Sequence, residues 1–203
     1  KIVCLTAYSK NIAEIIDDHA DIVLVGDSLG SVLYNYDTTR KVSLNMMIEH
    51  TKSVRMGTKK SLLVIDLPYN TYRSKSEALK NSKKAIKETK CDAVKVEGGT
   101  KVKEIVKHLV KNRIPVLGHI GITPQTTKGK FISKGKNEAE KRKLFKDAKD
   151  LEQSGAFGIV LECIYSDVSK KITNLINIPT IGIGASVNCD GQVLVTDDLI
   201  GLN

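Results

Sequence analysis

The sequence predicts an α/β fold, a (β/α)8 TIM-type barrel, on three observations. Short β-rich apolar runs alternate with amphipathic stretches, the pattern that produces parallel strands joined by crossover helices. Eight such runs can be counted. Five consecutive runs stop on an ionisable residue, as expected where a barrel gathers its chemistry at the C-terminal ends of its strands. With 203 residues, 41% of them hydrophobic, the chain can bury a sizeable core, and without a linker-like stretch it reads as one domain over 1–203. Barrels of this type typically run to about 250 residues, so the last helices are expected to lie outside this sequence.

The strands are read at 2–6, 22–26, 62–66, 93–97, 115–119, 158–162, 180–184 and, more weakly, 192–196. Between them Ile12/Ile15/Ile16, Leu79/Ser82/Ile86, Val102/Ile105/Val106/Leu109 and Leu144/Ala148/Leu151 each form one stripe at a period of 3.6, the mark of a helix with one buried face. Ser74 with Glu77, and Asn137 with Glu140, have capping-box spacing and predict two helix starts. The stretch 123–135, rich in Gly, Thr and Lys and without a period, reads as a loop over one barrel face. An open doubly wound sheet is the alternative, but Thr6-Ala7-Tyr8-Ser9 is unlike the G-x-G-x-x-G turn such sheets carry after their first strand.

The 32 basic and 23 acidic residues leave a net charge of +9, which would suit an anionic partner. Nucleic acid is nonetheless disfavoured, because aromatic residues make up only 4% of the chain and Lys83, Lys84, Lys87, Lys141, Lys143 and Lys146 interleave with acids on polar helix faces. Cys4, Cys91, Cys163 and Cys189 show no C-x-x-C spacing and read as buried thiols of a reducing, cytoplasmic setting. No apolar run reaches the roughly 18 residues a membrane helix needs, and 1–8 reads as a strand rather than a signal peptide.

The acids at the strand ends are the informative feature. Asp27, Asp66, Glu97 and Glu162, with Lys95 and His119, share strand parity with apolar neighbours such as Val25 and Val64, which sends them to one side of the sheet. Gathering such carboxylates would be prohibitive through repulsion and lost hydration unless cations compensate them. Lys95 supplies one positive charge, and Asp27, Asp66 and Glu97 offer the hard oxygen ligands that Mg2+ or another divalent cation prefers. Taken singly, each acid could merely cap a helix or meet a lysine. His119 reads equally as a hydrogen-bonded core side chain or as a substrate contact. Gly182 and Gly184 could admit an anion to the backbone or permit close packing.

Read in order, these ends resemble the ketopantoate hydroxymethyltransferase family over essentially the whole chain. The matching pieces are Leu5-Thr6-Ala7-Tyr8, Leu24-Val25-Gly26-Asp27-Ser28-Leu29-Gly30, Asp66-Leu67-Pro68, Val94-Lys95-Val96-Glu97-Gly98-Gly99, Gly118-His119-Ile120-Gly121-Ile122-Thr123-Pro124-Gln125, Leu161-Glu162-Cys163 and Ile181-Gly182-Ile183-Gly184-Ala185. The resemblance implies transfer of a hydroxymethyl group from 5,10-methylenetetrahydrofolate to 3-methyl-2-oxobutanoate, giving 2-dehydropantoate through a metal-stabilised enolate. It implies that Asp27, Asp66 and Glu97 hold the metal, that Ser28 and Lys95, with Asp27 and Asp66, contact the oxo acid, and that Glu162 accepts the proton. It implies a homo-oligomer, commonly a decamer, and further helices beyond the eighth strand. The chain departs from the family's usual pattern at Ser9 and Ser186, and 126–130 is shorter than the family's aromatic, glycine-rich loop there.

Two other functions share parts of this pattern. A phosphoenolpyruvate mutase or isocitrate lyase type of barrel would also gather carboxylates round Mg2+, but Lys95 is followed by Val96-Glu97-Gly98 and not by a Lys-Lys-Cys-Gly-His loop. A non-catalytic barrel acting as a binding module would make the acid cluster incidental and predicts no turnover.

Overall fold

The computed structural model describes residues 1–127 and 131–202; part of the loop read over 123–135, and of the shortened piece 126–130, lies outside the described residues. In chain order the elements are β1 (Ile2–Thr6), α1 (Lys10–Ile16), β2 (Ile22–Val25), α2 (Leu29–Val32), a 3-10 turn (Thr39–Lys41), α3 (Leu44–Gly57), β3 (Leu62–Asp66), α4 (Lys75–Thr89), β4 (Ala93–Glu97), α5 (Gly99–Lys111), β5 (Val116–Gly121), α6 (Glu138–Gln153), β6 (Gly158–Glu162), α7 (Ser166–Leu175), β7 (Thr180–Ile183), β8 (Gly191–Leu194) and α8 (Thr196–Leu199). The strands follow one another as a closed parallel barrel in the order β1 to β8. The predicted fold class is therefore the observed one.

Two compact units make up the chain: Ile2–Lys95 with Val193–Asn203, and Val96–Gln192 with Lys1. In the first, β1, β2, β3 and β4 pair in parallel with Cys4 opposite Ile22, Val25 opposite Ile65, and Asp66 opposite Lys95. Val23, Val25, Leu63, Val64, Ile65 and Val94 are fully buried, so these strands read as continuous apolar runs, as strands covered on both faces do. Thr196 ties α8 to the end of β1, its backbone N–H donating to Thr6 Oγ1 at 3.0 Å and its hydroxyl to Thr6 O at 2.6 Å. In the second unit β5 pairs with β6 from Leu117 opposite Gly158 to Gly121 opposite Glu162, and β6 continues to β7. Val106 and Leu109 of α5 and Leu151 of α6 are fully buried; each such side chain is worth about 1.5–3 kcal/mol relative to exposure.

Both expected helix starts are present. Ser74 Oγ accepts from Glu77 N–H at 3.1 Å and Asn137 Oδ1 from Glu140 N–H at 2.9 Å. The reciprocal halves are displaced by one or two residues: Glu77 accepts from Arg73 N–H and Glu140 from Gly135 and Lys136 N–H. The lysines on the polar faces are solvated or paired, with Lys141, Lys143 and Lys146 bridging to Glu138, Asp147 and Asp150.

Four strands and one helix face differ from the sequence reading. β2 stops at Val25, β5 runs from Val116 to Gly121, β7 stops at Ile183, and β8 runs from Gly191 to Leu194. His119 is thus inside its strand rather than at the end. Helix α1 buries Ala13 and Ile16, while Ile15, expected in the stripe, is 66% exposed; a seven-residue helix shows its neighbours too narrow a face to cover both isoleucines. Among the described residues no helix is long and apolar enough to cross a membrane.

Candidate active site

In the first unit the ends of β2, β3 and β4 bring Asp27, Ser28, Asp66 and Lys95 together. The in-register pairing of Asp66 with Lys95 sets the two side chains next to each other, both almost fully buried. Lys95 Nζ donates to Asp66 Oδ1 at 2.6 Å and Oδ2 at 2.8 Å, a charge-assisted pair that leaves neither charge uncompensated. The backbone N–H of Asp27 donates to Asp66 Oδ2 at 3.3 Å, so Asp66 also fixes the turn that carries Asp27 and Ser28. Gly26 makes that turn possible, because a Cβ there would stand 2.8 Å from Ser28 Oγ. The Cys4 thiol feels this cluster: burial pushes it up to about 12, with Lys95 lowering it and Asp66 raising it.

In the second unit Glu97, His119 and Glu162 meet. His119, 2% exposed, donates from Nε2 to Ile122 O at 2.8 Å, and since a carbonyl only accepts, that nitrogen carries the proton. The same nitrogen lies 3.3 Å from Glu162 Oε2, and Nδ1 lies 3.6 Å from Glu97 Oε1. His119 is thus a hydrogen-bonded core histidine, the first of its two sequence readings, and it stands beside two acids. Glu97 also accepts from Gln125 N–H at 3.2 Å. Glu162 keeps a side chain 20% exposed, which leaves the carboxylate accessible.

Backbone freedom at Gly121 shapes this group. Its φ of +101° belongs to glycine, and a Cβ there would collide with Glu162 O. The glycines in and just after β7 pack closely: a Cβ at Gly182 would stand 3.1 Å from Cys189 Sγ, and one at Gly184 3.3 Å from Cys163 Sγ. Close packing is therefore a sufficient reason for both.

Two residues that sequence reasoning did not single out belong here. The Tyr8 hydroxyl is 2.8 Å from Ser28 Oγ, and Gln125 is fully buried with its N–H on Glu97. Both lie inside the quoted motif pieces, which was the available signal. Among the described residues no three Asp, Glu, His or Cys side chains are gathered ready to hold a metal ion. In this arrangement both oxygens of Asp66 are engaged by Lys95.

A sequence model of the ketopantoate hydroxymethyltransferase family matches residues 1–203. The chain belongs to that family. Among similar members of the ketopantoate hydroxymethyltransferase family, the 3-methyl-2-oxobutanoate hydroxymethyltransferase of Pelagibacter ubique (strain HTCC1062) is 65% identical over 203 residues, which cover 100% of this chain and 79% of the relative. The protein of the same name from Sinorhizobium fredii (strain NBRC 101917 / NGR234) is 50% identical over 204 residues, covering 99% of this chain and 75% of the relative. Among solved structures, 2,3-dimethylmalate lyase, a PEP mutase/isocitrate lyase superfamily member, superposes with a TM-score of 0.69 at 13% identity over 99% of this chain and 77% of that one. Phosphonopyruvate hydrolase, solved with oxalate and Mg++, gives 0.71 at 9% identity over 99% and 77%. At such identities the likeness concerns the barrel alone.

Proposed function

We propose that this chain transfers a hydroxymethyl group from 5,10-methylenetetrahydrofolate to 3-methyl-2-oxobutanoate, giving 2-dehydropantoate, and that both compact units serve this one reaction as a single barrel domain. The observation that carries the proposal is the match over the whole of this chain, at 65% identity, to a relative named 3-methyl-2-oxobutanoate hydroxymethyltransferase. Asp27, Asp66 and Glu97 would hold a divalent cation such as Mg2+. Their fit rests on donor chemistry: all three offer hard carboxylate oxygens and are more than nine-tenths buried, and Lys95, already on Asp66, brings one positive charge to three acids. When bound, the cation supplies Lewis acidity toward the oxygens of the oxo acid.

The chain's own residues do the rest. Lys95 places a fixed positive charge where negative charge develops on the oxo acid, and the hydroxyl of Ser28 donates to its oxygens. Glu162, the accessible carboxylate, takes the C3 proton, and the electron pair left behind forms the C–C bond to the one-carbon unit; that unit's bonds to the folate nitrogens break, water supplies the hydroxyl oxygen, and tetrahydrofolate leaves with its nitrogens reprotonated. His119 stands against Glu162, its Nε2 3.3 Å from Oε2, and so limits where that carboxylate can sit. Homo-oligomeric assembly and a cytoplasmic location belong to the same proposal. The exposed Ile15 and Met56 on α1 and α3 support the first, and four free cysteines support the second.

Glu162→Gln keeps size and most hydrogen bonding but removes the basic oxygen. The variant is expected to bind 3-methyl-2-oxobutanoate as the parent does and to lose exchange of the C3 proton with deuterated water. Exchange at the parental rate would remove Glu162 from the role of base.

A further inference from the structure

Helix α3 is tied at three successive turns to the loop that follows β1 and to the first residue of α1. Ser53 Oγ accepts from Lys10 N–H at 3.0 Å, and Gly57 lies so close that a Cβ there would collide with the Lys10 carbonyl. One turn earlier His50 Nδ1 lies 2.7 Å from Tyr8 O. A backbone carbonyl only accepts, so Nδ1 carries the hydrogen, and in the neutral ring Nε2 is left as an acceptor. Nε2 meets the Tyr34 hydroxyl at 2.9 Å, with the two rings edge to face at 5.8 Å between centroids. Both nitrogens of one half-buried imidazole are thus committed, and the ring is held on a helix. A fixed ring at this place has an effect at a distance, because the carbonyl it holds belongs to the residue whose hydroxyl reaches Ser28.

Tyr8 is 4% exposed, and its hydroxyl stands 2.8 Å from Ser28 Oγ. Burial pushes the phenol up to about 12 against the lowering effect of its hydrogen bond to Ser28, so it remains an O–H donor at neutral pH. Either oxygen of that pair can donate. We take the direction in which Tyr8 donates, the one that leaves the Ser28 proton for an anionic oxygen. We propose that His50 is a positioning residue: by holding Tyr8 O it fixes the tyrosine, and the tyrosine orients the Ser28 hydroxyl that binds the oxo acid. This inference rests on the proposed function, in which Ser28 donates to that acid.

The two nitrogens of His50 make the inference testable against a purely structural role. Asparagine places an amide N–H near Nδ1, toward Tyr8 O; glutamine places its amide near Nε2, toward Tyr34. His50→Gln is expected to raise KM for 3-methyl-2-oxobutanoate about five- to tenfold, the worth of one hydrogen bond, with kcat within about twofold of the parent. Tyr8→Phe gives the same reading should His50→Gln not fold. His50→Asn is expected to stay within about twofold of the parental KM, although it loses the bond to Tyr34. A structural role would instead rank the variants by thermal midpoint and affect both constants. His50→Gln and Tyr8→Phe with parental KM, or His50→Asn as impaired as His50→Gln, overturns the inference while leaving the function intact. A parent chain that binds the acid in calorimetry without converting it sinks the functional reading, and the same ranking is then read in Kd; a parent that neither binds nor converts it overturns both.

Discussion

Replacing Lys95 with methionine tests the ionic pair on which the first cluster is built. Methionine keeps most of the stem's packing but withdraws the ammonium from between the two oxygens of Asp66, leaving a carboxylate whose side chain is 3% exposed. Its remaining backbone contact, Asp27 N–H at 3.3 Å, is too long to replace two bonds of 2.6 and 2.8 Å. Removing one partner of such a buried pair costs about 3–5 kcal/mol, most of it the burial of the charge that remains. With a urea slope of about 2 kcal/mol per molar, the unfolding midpoint should fall by about 2 M, measured by circular dichroism in buffer free of divalent ions. Adding Asp66→Asn to Lys95→Met removes the stranded charge and should recover most of the loss, which a double-mutant cycle reads as strong coupling. A midpoint shift below about 0.5 M in Lys95→Met, or a double variant no more stable than the single, would refute the reasoning.

Three further outcomes are expected. Gly121→Ala forces a Cβ against Glu162 O and strains a φ of +101°, so turnover should fall by about tenfold or more while oxo acid binding in calorimetry is retained; parental turnover would show that Glu162 does not depend on this backbone. Asp17 is subject to burial that raises its pKa, but backbone N–H groups of Ser61, Lys59 and Lys60 together outweigh it and hold the carboxyl at about 2, below its ordinary 3.8. A depressed pKa stabilises the fold fully above about 3.8 and progressively less as pH falls through about 2, so the urea midpoints of the parent and Asp17→Asn should differ at pH 7 and converge toward pH 2; a constant gap contradicts this. Thiol titration of the native chain should label Cys163 first, since it is half-buried while Cys4, Cys91 and Cys189 are buried; equal labelling in Cys163→Ser would contradict the assignment.

The strands were legible because each is a short apolar run with a polar stop, and Asp66 and Glu162 stand at their ends as the runs imply. The same rule misplaced the end of β5. Gly118-His119 interrupts the apolar run, yet the backbone ladder continues, pairing His119 with Val160 and Gly121 with Glu162. Helix α3 left no stripe to read because its buried face includes Thr51, whose hydroxyl is satisfied by Met47 O at 2.6 Å and so behaves as an apolar neighbour. Residue type revealed the acids and Lys95 but not Gln125, which reaches Glu97 through a backbone N–H that any residue except proline could supply. Tyr8 was hidden for another reason: its hydroxyl matters through Ser28, a partner twenty residues away in sequence.

The most direct measurement of the central claim is formation of 2-dehydropantoate by the purified chain from 3-methyl-2-oxobutanoate and 5,10-methylenetetrahydrofolate, with Mg2+ present and again after chelation. The account predicts product with Mg2+, loss of at least about 90% of the rate on chelation, and recovery when the ion is restored. No product from a folded chain with Mg2+ would contradict the proposed activity, and an undiminished rate after chelation would contradict the assignment of Asp27, Asp66 and Glu97 to a metal.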